Sequence, residues 1–243
     1  MNLAIDIGNT RTKAAVFEDG TLVHYEEWPN GSAPDFFEYA TNQAVQNIIF
    51  SNVASSVHPK VEEQLRHHFC FFELHPTTPI PINNQYETPE TLGKDRLAAV
   101  VGAYALFPGE NCLVVDAGTC ITYDWLTAGG VYLGGNIAPG LSMRLQAMHQ
   151  FTARLPKVEI GEEAPAIGRS TKMALRSGAQ RGVCLEIEGY QQWSLAEFGS
   201  IRTLLTGGDA VFLANKLKSG IFVNHQLVLL GLNKILEYNV KRL

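Results

Sequence analysis

Four short stretches pair acidic residues with glycine in ways that suit phosphate chemistry. The first is Asp6-Ile7-Gly8-Asn9-Thr10-Arg11-Thr12-Lys13. Gly8 permits a tight turn whose N–H groups point inward, and Asn9, Thr10 and Thr12 add short polar groups. Lys13 adds a point charge suited to phosphate, and Asp6 a carboxylate suited to magnesium, directly or through water. The second stretch is Asp116-Ala117-Gly118-Thr119, and the third Thr206-Gly207-Gly208-Asp209. The paired glycines of the third let a bulky flat group approach the backbone, with a helix N-terminus behind it. The fourth, Gly93-Lys94-Asp95-Arg96, offers a carboxylate to orient a hydroxyl and a guanidinium to grip substrate oxygens. Each stretch alone is also what an ordinary hairpin turn or helix cap looks like.

Their placement turns four motifs into one hypothesis. Residues 2–7 form an apolar strand that delivers Asp6 to its end, 12–18 a second strand, and 21–28 a third after the Asp19-Gly20 hairpin turn. A helix is expected over 33–46, a strand over 47–52, a helix over 59–68, a strand over 70–74 and a proline-rich loop over 75–89. Residues 93–106 then read as a helix with Leu97, Val100, Val101 and Tyr104 on one face. The grammar restarts with strands at 112–116, 120–126 and 131–137 and a helix after Gly140. A long helix over 169–193, interrupted at Gly178 and Gly182, follows a loop or amphipathic stretch. A strand at 201–205, a helix at 210–217, a short strand at 221–223 and a final helix at 226–238 complete the chain. The break at Pro108-Gly109 suggests domains over 1–110 and 111–243.

Composition narrows the function. The 243 residues are 46% hydrophobic and 18% charged, with a net charge of -5, the profile of a globular domain pair. There is no basic surplus to neutralise a nucleic-acid backbone. No apolar run is long enough to span a bilayer and no leader sequence is evident, which predicts a cytoplasmic protein without membrane contact. Cys70, Cys112, Cys120 and Cys184 have no paired spacing and the seven histidines no zinc-protease pattern, so neither a zinc site nor a redox pair is expected.

In order and topology the three glycine turns resemble those of the actin-like ATPase superfamily. That resemblance implies an α/β fold of two ribonuclease-H-like domains, with mixed sheets flanked by helices and an active cleft between them. Asp6, Gly8, Asn9, Thr10 and Lys13 would form the first phosphate loop, Gly118 and Thr119 the second, and Gly207 and Gly208 the adenosine loop. The stretch Leu92 to Ala99 narrows this to a resemblance to type III pantothenate kinase. So do Gly134-Gly135-Asn136-Ile137-Ala138-Pro139-Gly140, Thr152 to Pro156, and Gly168-Arg169-Ser170-Thr171 followed by Ser177-Gly178.

The resemblance implies ATP-dependent phosphorylation of pantothenate to 4'-phosphopantothenate, the first step of coenzyme A biosynthesis. Asp95 would be catalytic, with Tyr86, Gly93, Lys94, Asp95, Arg96 and Thr171 contacting pantothenate. Asp116 would bind a monovalent cation, potassium or ammonium, beside ATP and magnesium. Thr171 would serve the partner's site in a homodimer. Lys94 and the Tyr86–Leu92 segment depart from the family's common pattern. A kinase for another hydroxyl acceptor, or a nucleotide-binding regulatory protein of the same fold, would share the three loops.

Overall fold

Apolar runs and well-placed turns build the first sheet directly from the N-terminus. The computed structural model describes residues 1–52, 59–217 and 220–242. Strand β1 (Asn2–Ile7) pairs antiparallel with β2 (Arg11–Glu18), which pairs antiparallel with β3 (Thr21–Pro29). Asp19 and Gly20 take positive φ values of 49° and 78°, the geometry of a two-residue hairpin.

Helix α1 covers only Phe36–Asn42, less than the expected 33–46. Asp35 caps it, its carboxylate accepting from the N–H groups of Phe37 and Glu38 at 2.8 and 3.1 Å. At its end Ala44 turns to a φ of 50°, so that Val45 can enter the core before β4 (Asn47–Asn52) begins. Helix α2 (Pro59–His68) and β5 (Cys70–Glu73) follow. The sheet order is β3-β2-β1-β4-β5, with β4 parallel to both β1 and β5.

The long loop expected at 75–89 contains a two-residue strand, β6 (Asn83–Asn84), and ends in a 3-10 turn at Pro89–Thr91. Helix α3 (Lys94–Leu106) is buried continuously from Arg96 to Ala103, around its whole circumference rather than on one face. The cause is the last helix of the chain, α7, which packs along α3 and against β1 and β4. Gly102 and Gly231 make that approach possible. A side chain at Gly102 would strike the carbonyl of Leu227, and one at Gly231 the carbonyl of Ala98.

The second sheet runs β11-β10-β7-β8-β9, built from β7 (Cys112–Ala117), β8 (Cys120–Leu126), β9 (Val131–Pro139), β10 (Arg202–Thr206) and β11 (Ile221–Val223). Strand β10 is parallel to β7 and β11, and β6 pairs with the first residues of β9. Helix α4 (Leu141–Gln150) packs on α5 (Thr171–Phe198). Residues 151–167, expected as a loop or an amphipathic stretch, contain no helix or strand.

Helix α5 is 28 residues long and runs unbroken through Gly178 and Gly182. The two glycines cost about 1 kcal/mol each against alanine, and the packing of Leu175, Ala179, Val183 and Ile187 outweighs that. Helix α6 is short, Ala210–Ala214, and α7 spans Leu227–Val240.

The chain forms two compact units, neither continuous in sequence. The first comprises 1–109, 126–134 and 226–243, and the second 110–125 and 135–225. The first is cored by Leu3, Ile5, Val16, Ile48, Phe50 and Leu65. The second is cored by Leu113, Val115, Tyr123, Val183, Ile187 and Leu205.

Candidate active site

In the first unit the polar groups gather where β1 ends. Asp6 is only 8% exposed, and its neighbours in register are Lys13 on β2 and Ser51 on β4. Burial is the main force on its carboxyl, and the charge of Asp95 adds to it. Together they push the pKa from 3.8 to about 6, against smaller opposing effects of Ser51 and Lys13. The Ser51 hydroxyl opposes the shift from the adjacent strand without meeting full hydrogen-bond geometry. Asp6 Oδ1 and Ser51 Oγ are both buried without a hydrogen-bond partner among the described residues. A buried orphan carboxylate oxygen is costly and marks a place for a ligand.

The turn after Asp6 is cross-braced. The Gly8 N–H donates to the Arg11 carbonyl at 3.0 Å. Asn9 and Thr10 are exposed at its tip. Arg11, which sits inside the motif, is drawn off to Glu27 at 2.7 Å.

Helix α3 brings the fourth motif to the same unit. Gly93 stands at its N-cap and Asp95 in its first turn. Asp95 Oδ1 accepts from the N–H of Arg96 at 2.8 Å. A Cβ at Gly93 would lie 2.5 Å from that oxygen, so glycine there leaves room for the carboxylate. Arg96 is 5% exposed, with its guanidinium 5.4 Å from the centre of the Tyr86 ring. Tyr86 lies parallel to Tyr132, ring centres 6.2 Å apart and planes within 5°. Gly134, at a φ of 106°, brings its backbone against the same ring. Lys94 is turned to Glu73, 3.0 Å away.

In the second unit three loops meet through their backbones. Asp116, near the end of β7, is in register with Thr206 on β10. Gly207 has a φ of 93°, and a Cβ there would lie 2.5 Å from Asp116 Oδ1. The Asp209 N–H donates to the Ala117 carbonyl at 2.9 Å, and burial pushes the Asp209 carboxyl upward. The Gly118 N–H donates to the Cys120 carbonyl at 2.9 Å. Gly140 donates its N–H to the Thr119 carbonyl at 3.1 Å and packs too closely there for any side chain. Beside Gly208 lies open space. The result is a platform of bare backbone, which suits a flat, polar-edged group.

Thr171 is exposed at the first residue of α5, beyond the Ser170 cap. Its side chain makes no hydrogen bond or ion pair among the described residues. The motifs therefore fall into two clusters, Asp6 to Lys13 with Tyr86 and Gly93 to Arg96 in one unit, and Asp116 to Thr119 with Gly207 and Gly208 in the other.

Sequence reading did not single out Ser51, Asn30 or Tyr132. Each meets its motif across a strand pair or ring stack, so no local spacing marks it. A further network in the second unit was likewise unmarked. Glu186 accepts from Tyr123 at 2.8 Å and pairs with Arg144 at 2.8 Å, while Arg144 also bonds the Pro139 carbonyl at 2.8 Å. It braces the strand end just before Gly140.

Two α/β units of mixed sheets flanked by helices, with acidic glycine turns at strand ends, define the actin-like ATPase fold. A solved activator of the 2-hydroxyisocaproyl-CoA dehydratase from Clostridium difficile, with bound ADPNP, shares it. The TM-score is 0.55 at 11% identity, covering 99% of this chain and 96% of that one. The model of the type III pantothenate kinase family matches residues 2–192, and the chain belongs to that family. A Phocaeicola vulgatus protein named type III pantothenate kinase is 44% identical over 241 residues, covering 99% of this chain and all of that one. A Campylobacter jejuni structure solved under the description of a Baf family transcriptional activator is 27% identical. Its TM-score is 0.63, covering 98% and 99% of the two chains.

Proposed function

We propose that this protein phosphorylates pantothenate on its primary hydroxyl with ATP, giving 4'-phosphopantothenate and opening coenzyme A synthesis. The observation that carries the reading is the buried, unpartnered Asp6 Oδ1 in the same unit as Asp95 and the Arg96–Tyr86 pair, with the Asp95 charge felt at Asp6. A kinase needs one carboxylate for the metal–phosphate end and a second for the acceptor hydroxyl, close enough to act on one reaction.

In this reading Asp95 orients the hydroxyl and draws on its proton. Arg96, buried beside the Tyr86 ring, grips pantothenate oxygens with Tyr86, Gly93 and Lys94 and with Thr171 of the partner subunit as further contacts. In the first unit Asn9, Thr10, Lys13 and the Gly8 turn would receive phosphate oxygens, and in the second Gly118 and Thr119 would do the same. Gly207 and Gly208 hold the adenosine.

The chemistry of the donor set fits magnesium. Asp6 Oδ1 is a hard, buried, unpartnered oxygen, and among the described residues no three His, Cys, Asp or Glu form an all-protein cage. That suits an ion held chiefly by phosphate oxygens and water, and it would neutralise charge on the transferred group. Asp116, beside the carbonyls of the second turn, would hold a potassium or ammonium ion. A homodimer is supported by Leu185, Trp193 and Leu195, which α5 exposes by 62, 52 and 53%. No helix among the described residues is long and apolar enough to cross a membrane, in keeping with a cytoplasmic enzyme.

The test follows ADP release with ATP and magnesium, with and without pantothenate and with and without potassium or ammonium. Pantothenate-dependent turnover that needs the monovalent ion and falls at least about a hundredfold in Asp95→Asn is the expected result. ATP turnover indifferent to pantothenate would assign another acceptor. Nucleotide binding without turnover would favour a regulatory role.

A further inference from the structure

The turn between β1 and β2 is held from outside by a residue that none of the four motifs contains. Asn30 follows β3 directly, and both ends of its side-chain amide are engaged. Its Nδ2 donates to the Gly8 carbonyl at 2.8 Å, and its Oδ1 accepts from Thr12 Oγ1 at 3.1 Å. Its own backbone N–H donates to the Thr10 carbonyl at 3.2 Å. One residue thus bonds three of the five positions from Gly8 to Thr12, while Thr12 itself is 3% exposed and fixed in β2.

The consequence follows from peptide planarity. In a trans peptide the C=O and the following N–H point in opposite directions. Tying the Gly8 carbonyl to Asn30 therefore aims the Asn9 N–H away from Asn30. Without that bond the Gly8–Asn9 plane can rotate, because Gly8 offers little steric resistance. We propose that Asn30 is a positioning residue for nucleotide binding, orienting the Asn9 N–H toward a phosphate oxygen through its bond to the Gly8 carbonyl. This rests on the reading of the first turn as a phosphate loop. Its class of ligand is a nucleoside triphosphate with its magnesium.

The test uses the full chain and a fluorescent ATP analogue with magnesium, titrated into wild type, Asn30→Ala and Asn30→Asp. The Asp variant keeps the shape and the acceptor for Thr12 and loses the donor to Gly8. Both variants are expected to bind the analogue about tenfold more weakly, the worth of one to two hydrogen bonds. KM for ATP rises in parallel, while KM for pantothenate stays within about twofold. A folded variant that binds nucleotide as wild type does would overturn the proposal. Equal losses for ATP and pantothenate, or failure of both variants to fold, would assign Asn30 to hairpin stability instead. Wild type that binds the analogue but ignores pantothenate would sink the kinase reading and leave this one standing.

Discussion

Replacing Asp6 with asparagine should stabilise the protein at neutral pH and do little in acid. The folded carboxyl titrates near 6, against 3.8 for the unshifted group, so the folded chain keeps a proton that the unfolded chain has released. Stability therefore falls as pH rises through that window and stays low above it. A carboxyl raised from 3.8 to about 6 corresponds to about 3 kcal/mol once the group is fully ionised. Because Asp6 is almost wholly buried, solvent screening removes little of this. The assay is urea unfolding of wild type and Asp6→Asn at about pH 4 and about pH 7, where the stability gap should widen by about 2 kcal/mol toward neutral pH. Titrating groups that do not feel the Asp6 charge act on both proteins alike and cancel in the gap. A gap that stays constant with pH would refute the burial argument. Asp95→Asn removes the second cause of the shift, so in that background the gap should widen less. The same ionisation bears on the proposed function: if Asp6 serves magnesium as proposed, its carboxylate is lost below about pH 6 and affinity for magnesium–ATP should fall there with it.

Other outcomes follow from the packing. Gly231→Ala forces a methyl into the Ala98 carbonyl and should destabilise by about 2–3 kcal/mol in urea unfolding. Gly178→Ala meets nothing within 4 Å on the exposed side of α5 and should stabilise by about 0.5–1 kcal/mol in the same assay. Arg96→Lys loses the planar fork over Tyr86, and KM for pantothenate should rise about tenfold while KM for ATP holds in steady-state kinetics.

The local grammar of this chain is legible without its structure. The apolar runs at 2–7 and 112–116, the Asp19-Gly20 turn and the glycines after Asp6 and Asp116 are short-range signals. They set strand positions because backbone sterics and side-chain alternation act over a few residues. The four motifs were visible for the same reason. Helix lengths were less legible. Residues 33–46 have helical composition, yet α1 stops at Asn42 because Val45 has to reach the core. The glycines of α5 read as breaks, yet burial of its apolar face carries the helix through them.

Long-range contact alone decided the remainder. The burial of α3 on every side depends on Gly231, more than a hundred residues away, and no spacing within 93–106 reports it. The tip of the β8–β9 hairpin, 126–134, belongs to the first unit, which is how Tyr132 and Gly134 come to fix Tyr86. The raised pKa of Asp6 needs the exclusion of water at the end of β1 and the turn of α3 that carries Asp95 to exist at once. The sequence by itself determined which residues can do phosphate chemistry and which strands carry them. The tertiary structure decided their protonation, orientation and support, because desolvation and packing are properties of neighbours that meet only when the chain has folded.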